Sequence, residues 1–445
     1  MHIRLPLAAA VAAVLLAAPA AAGAAPYVPN EVLVRYEDDA TRGDRARAQR
    51  ESGTRLTERL PGGTRKLGIL DGETVGETVR ELRREPDVAY AVANYIARTS
   101  AYFPNDPGFG PPGSWTHAQW NFFGPASVNA PDAWEHAFRA GAPGGRGAVV
   151  ALLDTGVAYQ TRGRYRRAPD LRPGGFARGY DFVDNDRYPN DENGHGTHVA
   201  GTVAQWTDNG QGLTGLAYGA KVMPIRVLNS EGAGDSAGIA RGILFAARNR
   251  ADVINLSLEF DRYVRSERQI PEIVRAIRFA RRRGAVVVGA AGNGGYATVA
   301  YPARTTGVIS VAATTERPCQ AEYSNWGPEV VAPGGGGDTA NVDNPRDLRT
   351  CQPGRPGRPV YQQTFGELGR VRSFGYPLEF EGTSMASAHV AATAALIVGT
   401  RRLGSRPSPD AVAARIRATA RDLGHGGYDV RYGAGMVDSG AAIAP

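Results

Sequence analysis

From residue 149 onward the chain alternates short apolar runs with longer amphipathic ones. The runs at 149–153, 222–228, 253–258, 286–289 and 308–312 are dominated by Val, Ile, Leu and Ala, the pattern of strands buried on both faces of a parallel sheet. Between them, 236–249 and 272–283 read as helices. Ser408-Pro409 opens another, with Ser as cap and Pro at the first helical position. Strands alternating with helices predict a doubly wound α/β domain with a mainly parallel sheet, whose functional residues belong at the carboxyl ends of the strands.

Residues 26–99 have a different rhythm. Strands are predicted at 32–34, 66–70 and 88–96. Helices are predicted at 44–51 and 74–84, the second with Val75, Val79 and Leu82 at helical spacing. This β-α-β-α-β order suggests a small α+β, ferredoxin-like unit. The Pro-, Gly- and Asn-rich stretch 99–113 then reads as a linker. A second irregular stretch, about 334–380, is rich in Gly, Pro and Arg and reads as a surface insertion.

The first residues change the picture of where the protein works. Arg4 precedes an apolar run at 5–18 and the small residues Ala20-Ala21-Ala22-Gly23-Ala24-Ala25. A positive start, an apolar middle and an Ala-x-Ala exit describe a secretory signal peptide over 1–24 and a secreted product, extracellular or periplasmic; a membrane anchor is the alternative. In an oxidising compartment the two cysteines, Cys319 and Cys351, could close one disulfide or remain free thiols.

Hydrophobic residues make up 42% of the 445 and charged ones 21%, as in a globular protein. The net charge of +7 invites a nucleic-acid partner, yet Lys66 and Lys221 are the only lysines and the arginines are scattered. The one tight cluster, Arg281-Arg282-Arg283, ends a predicted helix, where cations suit the dipole. Nucleic acid is therefore not an expected partner, nor is a membrane after signal cleavage, and a monomer is expected.

Four polar residues stand where the α/β rule puts a site. Asp154 follows the 149–153 strand in Leu153-Asp154-Thr155-Gly156, and Asn293 follows another in Ala291-Gly292-Asn293-Gly294. His195 lies in Asn193-Gly194-His195-Gly196-Thr197-His198, and Ser384 in Gly382-Thr383-Ser384-Met385-Ala386, at the start of an Ala-rich helix. These are the parts of an acyl-transfer site. A serine hydroxyl needs an imidazole to take its proton. The imidazole needs a carboxylate to set its tautomer. The oxyanion needs fixed donors, here the Asn293 amide and the Ser384 N–H. Each motif alone is weak: an Asp-Thr-Gly is commonly a turn, a serine at a helix start commonly a cap, and His195 with His198 could be a metal pair.

Together the four segments resemble the subtilisin-like serine proteases (subtilases) over roughly 104–442. The resemblance implies a secreted serine endopeptidase acting on proteins or peptides through an acyl-enzyme on Ser384. His195 would be general base, Asp154 its orienting acid and Asn293 the oxyanion donor, with no cofactor for catalysis. Gly232, Ala233 and Gly234 resemble the segment that pairs with extended substrate, and Ser257, Leu258 and Glu259 the opposite edge. Ala291 and Gly292 complete the primary pocket, with Ala300 at its base. Two positions depart from the family's usual glycine. Glu259 would either face inward and attract Arg or Lys or stand as a solvated rim charge, and Ala300 would shorten the pocket against large aromatic side chains.

Residues 25–100 resemble a subtilase propeptide, an intramolecular inhibitor preceding a peptidase domain at 101–445. The loop carrying Asp181, Asp184, Asp186 and Asn190 looks like the thermitase-type calcium loop, and Asp106, Asp170 and Asn209 resemble a second calcium site; a solvated acidic turn is the alternative for the loop. Two rivals have other mechanisms. One is an aspartic protease built on Asp154-Thr155-Gly156 and Asp438-Ser439-Gly440, which the helix–strand alternation contradicts. The other is a catalytically silent binding protein on the same fold.

Overall fold

The computed structural model describes residues 27–95, 102–339, 345–367 and 370–445. The expected signal peptide at 1–24 lies outside the described residues, as does part of the expected linker. The chain divides into two compact units, Met1–Ser100 and Ala101–Pro445.

In the first unit, β1 (Tyr27–Tyr36), α1 (Arg42–Glu51), β2 (Thr54–Arg59), β3 (Arg65–Ile69), α2 (Val75–Leu82) and β4 (Val88–Tyr95) follow in turn. The sheet order is β2-β3-β1-β4, with antiparallel pairing. Both helices begin in capping boxes, Thr41 with Asp44 and Thr74 with Glu77, each satisfying first-turn donors. Val32, Val34, Leu67, Leu82 and Ala91 fill the core. One expectation is corrected: β2 is a strand that the β-α-β-α-β reading lacks, so the order is β-α-β-β-α-β, the ferredoxin-like one. Its sequence, Thr-Arg-Leu-Thr-Glu-Arg, lies at the sheet edge with its last three residues exposed, so no apolar alternation marked it.

The second unit opens with α3 (Trp115–Ala118) and α4 (Ala130–Arg139). Then come β5 (Val149–Asp154), β6 (Tyr180–Asp181), α5 (His195–Ala204), β7 (Lys221–Arg226), α6 (Ser236–Arg248), β8 (Val253–Leu256), α7 (Pro271–Arg282) and β9 (Val286–Ala290). β10 (Ile309–Thr314), β11 (Val330–Pro333), α8 (Pro345–Thr350), β12 (Thr364–Phe365) and β13 (Phe374–Gly375) follow. The unit closes with α9 (Thr383–Gly399), α10 (Pro409–Ala418) and α11 (Ser439–Ile443). Seven strands form one parallel sheet in the order β11-β10-β9-β8-β5-β7-β6.

Alternate residues serve opposite faces, as the pleat requires. Val150 and Leu152 pack with α5 and α9, while Ala151 and Leu153 pack with α6 and α7. α9 is buried from Thr383 through Ile397, which suits a helix apolar on every side at the centre of a large domain. The chain runs from β5 outward to β7, then returns to the other side of β5 for β8, β9 and β10. That reversal is the switch point where such sheets open a crevice at their carboxyl edge.

The stretch 334–380 is not a surface insertion throughout. Val360, Gln362, Thr364 and Phe365 are buried. The Trp120 indole N–H donates to Pro359 O at 2.9 Å, and Thr364 Oγ1 donates to Gly194 O at 2.5 Å. Its polar, glycine-rich composition hid a segment that packs beside α5.

Candidate active site

Sheet register assembles the site. Leu153 of β5 pairs with Leu256 of β8, and Leu256 with Gly289 of β9. The next residues, Asp154, Ser257 and Ala290, therefore leave the carboxyl edge side by side. Ser384 arrives from above, second in α9, which packs over β8 and β9. His195 is the first residue of α5. The close approach of α5 to the end of β5 requires Gly196, where a Cβ would lie 2.1 Å from Gly156 O.

The geometry is that of an oriented base. His195 Nδ1–H donates to Asp154 Oδ1 at 2.7 Å, and the Thr155 N–H donates to the same oxygen at 2.7 Å. Asp154 is buried, while a quarter of the His195 side chain is open to the cleft. Desolvation pulls the imidazole pKa down, but the charge of Asp154 and its hydrogen bond outweigh it and hold His195 above its ordinary value. His198 and His389 lack such a partner, and burial lowers them to about 3 and about 4. His198 is structural: its Nε2 meets Val360 O at 2.9 Å and its ring stacks on Phe380.

Asn293 is held by its oxygen. The Thr383 backbone N–H, which can only donate, reaches Asn293 Oδ1 at 2.9 Å, and Thr383 Oγ1 donates to it at 2.9 Å. The amide NH2 is thereby left to face the cleft. At the start of α9, Met385 and Ala386 N–H bond back to Gly382 O, which leaves the Ser384 N–H among the first-turn donors. Ser384 Oγ donates to Ser257 O at 3.3 Å. Thr155, His195, Ser257, Asn293 and Ser384 line one cavity of about 480 Å³, with Gly232, Ala233, Gly234, Leu258 and Glu259 on the same wall. Ala291 and Gly292 stand behind Asn293, and Ala300 N–H donates to Ala291 O at 2.8 Å. Ala300 does not line that cavity.

Three participants had no marker in the sequence reading. Asp191 is buried and accepts from Thr155 Oγ1, from the N–H groups of Asn193, Gly194 and Thr197, and from Thr197 Oγ1, at 2.6–2.9 Å. It ties the residue after Asp154 to the start of the His195 helix. Its position four residues before His195, at a helix start, was the available signal. Thr383 orients Asn293, and Arg226 governs the acidic loop.

That loop differs from the expected set of free oxygen ligands. Arg226 is buried and reaches Asp181 at 2.9 Å, Asp184 at 2.7 Å and Glu192 at 2.9 Å. Asp186 Oδ1 accepts the Tyr188 N–H at 2.7 Å. The buried Asn190 Oδ1 has no hydrogen-bond partner, so one oxygen still suits a cation. The oxygens of the other set are likewise hydrogen-bonded: Asp106 Oδ2 accepts the Asp208 N–H, and Asp170 Oδ2 accepts from Gln205 Nε2 and the Leu213 N–H. Asp106 and Asp170 are both buried, and Asn209 Nδ2 donates to Asp170 Oδ1 at 2.8 Å while Asn209 N–H donates to Asp106 Oδ1 at 3.2 Å. Desolvation first, with mutual repulsion added for Asp170, raises Asp106 to about 6 and Asp170 to about 7. Two such carboxylates with an amide beside them have the chemistry of a hard-cation site. Among the described residues no three His, Cys, Asp or Glu side chains converge on one point. Cys319 and Cys351 are joined in a disulfide.

Comparison with known proteins agrees with this construction. The model of the Subtilase family matches residues 145–435, and that of the Fervidolysin N-terminal prodomain matches residues 16–94. A thermophilic serine proteinase of Bacillus sp. (strain AK1) is 33% identical over 404 residues, 90% of this chain and 86% of that protein. Thermitase of Thermoactinomyces vulgaris is 37% identical over 235 residues, 52% of this chain and 74% of its own length. An extracellular protease of Xanthomonas campestris pv. campestris is 31% identical, with 98% of this chain and 77% of that protein covered. Among solved structures, one of the proteases from Pseudoalteromonas arctica superposes with a TM-score of 0.61 at 32% identity, over 77% of this chain and 99% of that one. The chain belongs to the subtilase family of serine endopeptidases, with a prodomain of the fervidolysin type ahead of the peptidase.

Proposed function

We propose that the peptidase domain, 101–445, cleaves protein substrates through an acyl-enzyme on Ser384. The observation that carries this is the convergence in one cleft of an Asp154-anchored His195 and a Thr383-anchored Asn293 around Ser384. Ser384 Oγ attacks the scissile carbonyl carbon as its proton passes to His195 Nε2. Asp154 stabilises the imidazolium through Nδ1–H, and the oxyanion is met by the Asn293 NH2 and the Ser384 N–H. His195 then protonates the leaving amine. A water, deprotonated by the same imidazole, releases the acyl group. A fluorophosphonate probe should label Ser384 in the wild type and leave His195→Ala unlabelled; equal labelling of both would sink the scheme.

Residues 25–100 act as an inhibitory propeptide, a reading supported by the prodomain match, and 1–24 as an export signal. Relatives named as extracellular proteases and the single disulfide support secretion. Among the described residues no helix is long and apolar enough to cross a membrane. Calcium is proposed as a structural ion held by Asp106, Asp170 and Asn209, where it would neutralise two buried carboxylates. The loop of Asp181, Asp184, Asp186 and Asn190 is a second candidate whose charge Arg226 already balances.

A further inference from the structure

The wall of the cleft carries an acid that the chemistry above does not use. A substrate whose carbonyl carbon meets Ser384 Oγ, with its oxygen toward the Asn293 NH2, must project the side chain on its acyl side into the adjoining recess. That recess lies between the segment continuing β8 and the one continuing β9. Glu259 stands in it. Its Oε1 accepts the Asn293 backbone N–H at 3.0 Å, and its Oε2 lies 2.4 Å from the point where a Cβ on Gly292 would stand. The carboxylate thus reaches across from the first wall to the second, and only a glycine at 292 leaves room for it. Glu259 remains exposed at the cleft, but of the two orientations open in the sequence its carboxylate takes the one turned toward the opposite wall.

Glu259 makes no ion pair with a cationic side chain among the described residues; Asp261, which lines the same cavity, has the charge of the neighbouring Arg262 near it without a direct bridge. Asp261 Oδ1 accepts the Tyr263 N–H, and the intervening Arg262 lies over the rings of Tyr263 and Tyr296. Desolvation is the main cause that holds the Glu259 carboxyl above its ordinary value, with Asp261 adding repulsion. A cation delivered into the recess would relieve both. Arg226 balances three acids of the neighbouring loop, whereas among the described residues no arginine bridges Glu259 or Asp261, so the substrate cleft holds two acidic groups open to a charge brought by the substrate.

We propose that Glu259, assisted by Asp261, makes this peptidase selective for lysine or arginine on the acyl side of the scissile bond. The inference rests on the catalytic reading of Ser384. It deepens that reading by naming the substrate class: peptides and proteins cut after basic residues.

The test uses the mature full-length peptidase and matched internally quenched peptides that differ only before the scissile bond, with Arg, Lys, Gln, Leu or Phe. Each variant is judged by kcat/KM ratios between peptides, so that a general loss of activity cancels. Wild type should favour Lys and Arg over Gln by about tenfold, the scale of one charge-assisted contact. Glu259→Gln should bring that ratio near unity, Asp261→Asn should lower it less, and Glu259→Arg should turn preference toward a Glu peptide. An unchanged Arg-to-Gln ratio in Glu259→Gln overturns the inference. So does a Glu259→Gly variant that gains Phe cleavage while keeping the basic preference, since the acid would then only fill space. Hydrolysis of none of the peptides, with Ser384 unlabelled by fluorophosphonate, defeats the catalytic reading itself and this inference with it.

Discussion

Asn293 illustrates how little freedom the site residues have. Its oxygen is claimed by two donors of Thr383, so the NH2 cannot turn away without leaving them unpaired. Replacing it with Ala should lower kcat by roughly two to three orders of magnitude with a smaller change in KM, the range known for losing one such donor in a subtilisin. His195 gives the matching pH prediction. Its pKa is raised, and only the neutral imidazole accepts the Ser384 proton. Activity should therefore climb with pH through a midpoint above the unperturbed value of about 6.5. In Asp154→Asn the two larger raising causes vanish and only the weaker effect of the Asp191 charge is left against desolvation, so the midpoint in a pH–kcat/KM profile should move down while turnover collapses. A midpoint that stays put would mean that Asp154 does not set the imidazole's charge. Asp154, His195, Asn293 and Ser384 were legible because each follows a strand or opens a helix in a glycine-marked motif. Asp191 was not, because its five hydrogen bonds exist only once the loop before α5 closes on Thr155.

At the scale of elements, most of the strands buried on both faces were legible, although the short β11, fully buried at one edge of the sheet, was not read. The runs that became β5, β7, β8, β9 and β10 are apolar because both faces meet helices. β2 and the two-residue β6 escaped because they lie at sheet edges, where polar side chains are tolerated. The stretch 334–380 escaped for another reason: its buried parts are held by Gln, Thr and backbone hydrogen bonds rather than by an apolar period. That stretch is tied through Cys351 to Cys319 outside it, a disulfide with a sequence separation of 32. Loop closure of that length is worth at most about 3–4 kcal/mol on chain entropy. A Cys319→Ser/Cys351→Ser variant should therefore unfold at a lower temperature in calorimetry, and the midpoint of the intact protein should fall on reduction. Asp191→Ala, which strands several buried donors at the start of α5, should cost about 3 kcal/mol. It should also depress kcat more than KM, since it lets the His195 helix drift from Asp154.

At the scale of the whole molecule, two predictions concern how the enzyme is made durable and then released. Asp106 and Asp170 repel each other in a dry setting, so an ion that binds the folded state alone should raise the thermal midpoint. Chelation should lower it in the wild type and leave Asp170→Asn indifferent; equal sensitivity of both would move the ion to the Asp184 loop. Release is the second. The prodomain match ends at residue 94, and the chain beyond it reads Ala97-Arg98-Thr99-Ser100-Ala101. If the peptidase processes its own precursor, the Ser384→Ala precursor should persist at full length under conditions where the wild type shortens. The preference assigned to Glu259 then specifies the cut: Arg98 is the one basic residue between 96 and 105, so the mature chain should begin at Thr99. N-terminal sequencing reads this directly. Wild type should give Thr99, Arg98→Gln should process more slowly or at another bond, and Glu259→Gln should lose the distinction between the two precursors. A Ser384→Ala precursor that matures at the wild-type rate in purified form would assign the cut to another protease. A wild-type start elsewhere, unaffected by Arg98→Gln, would show that the basic preference plays no part in maturation.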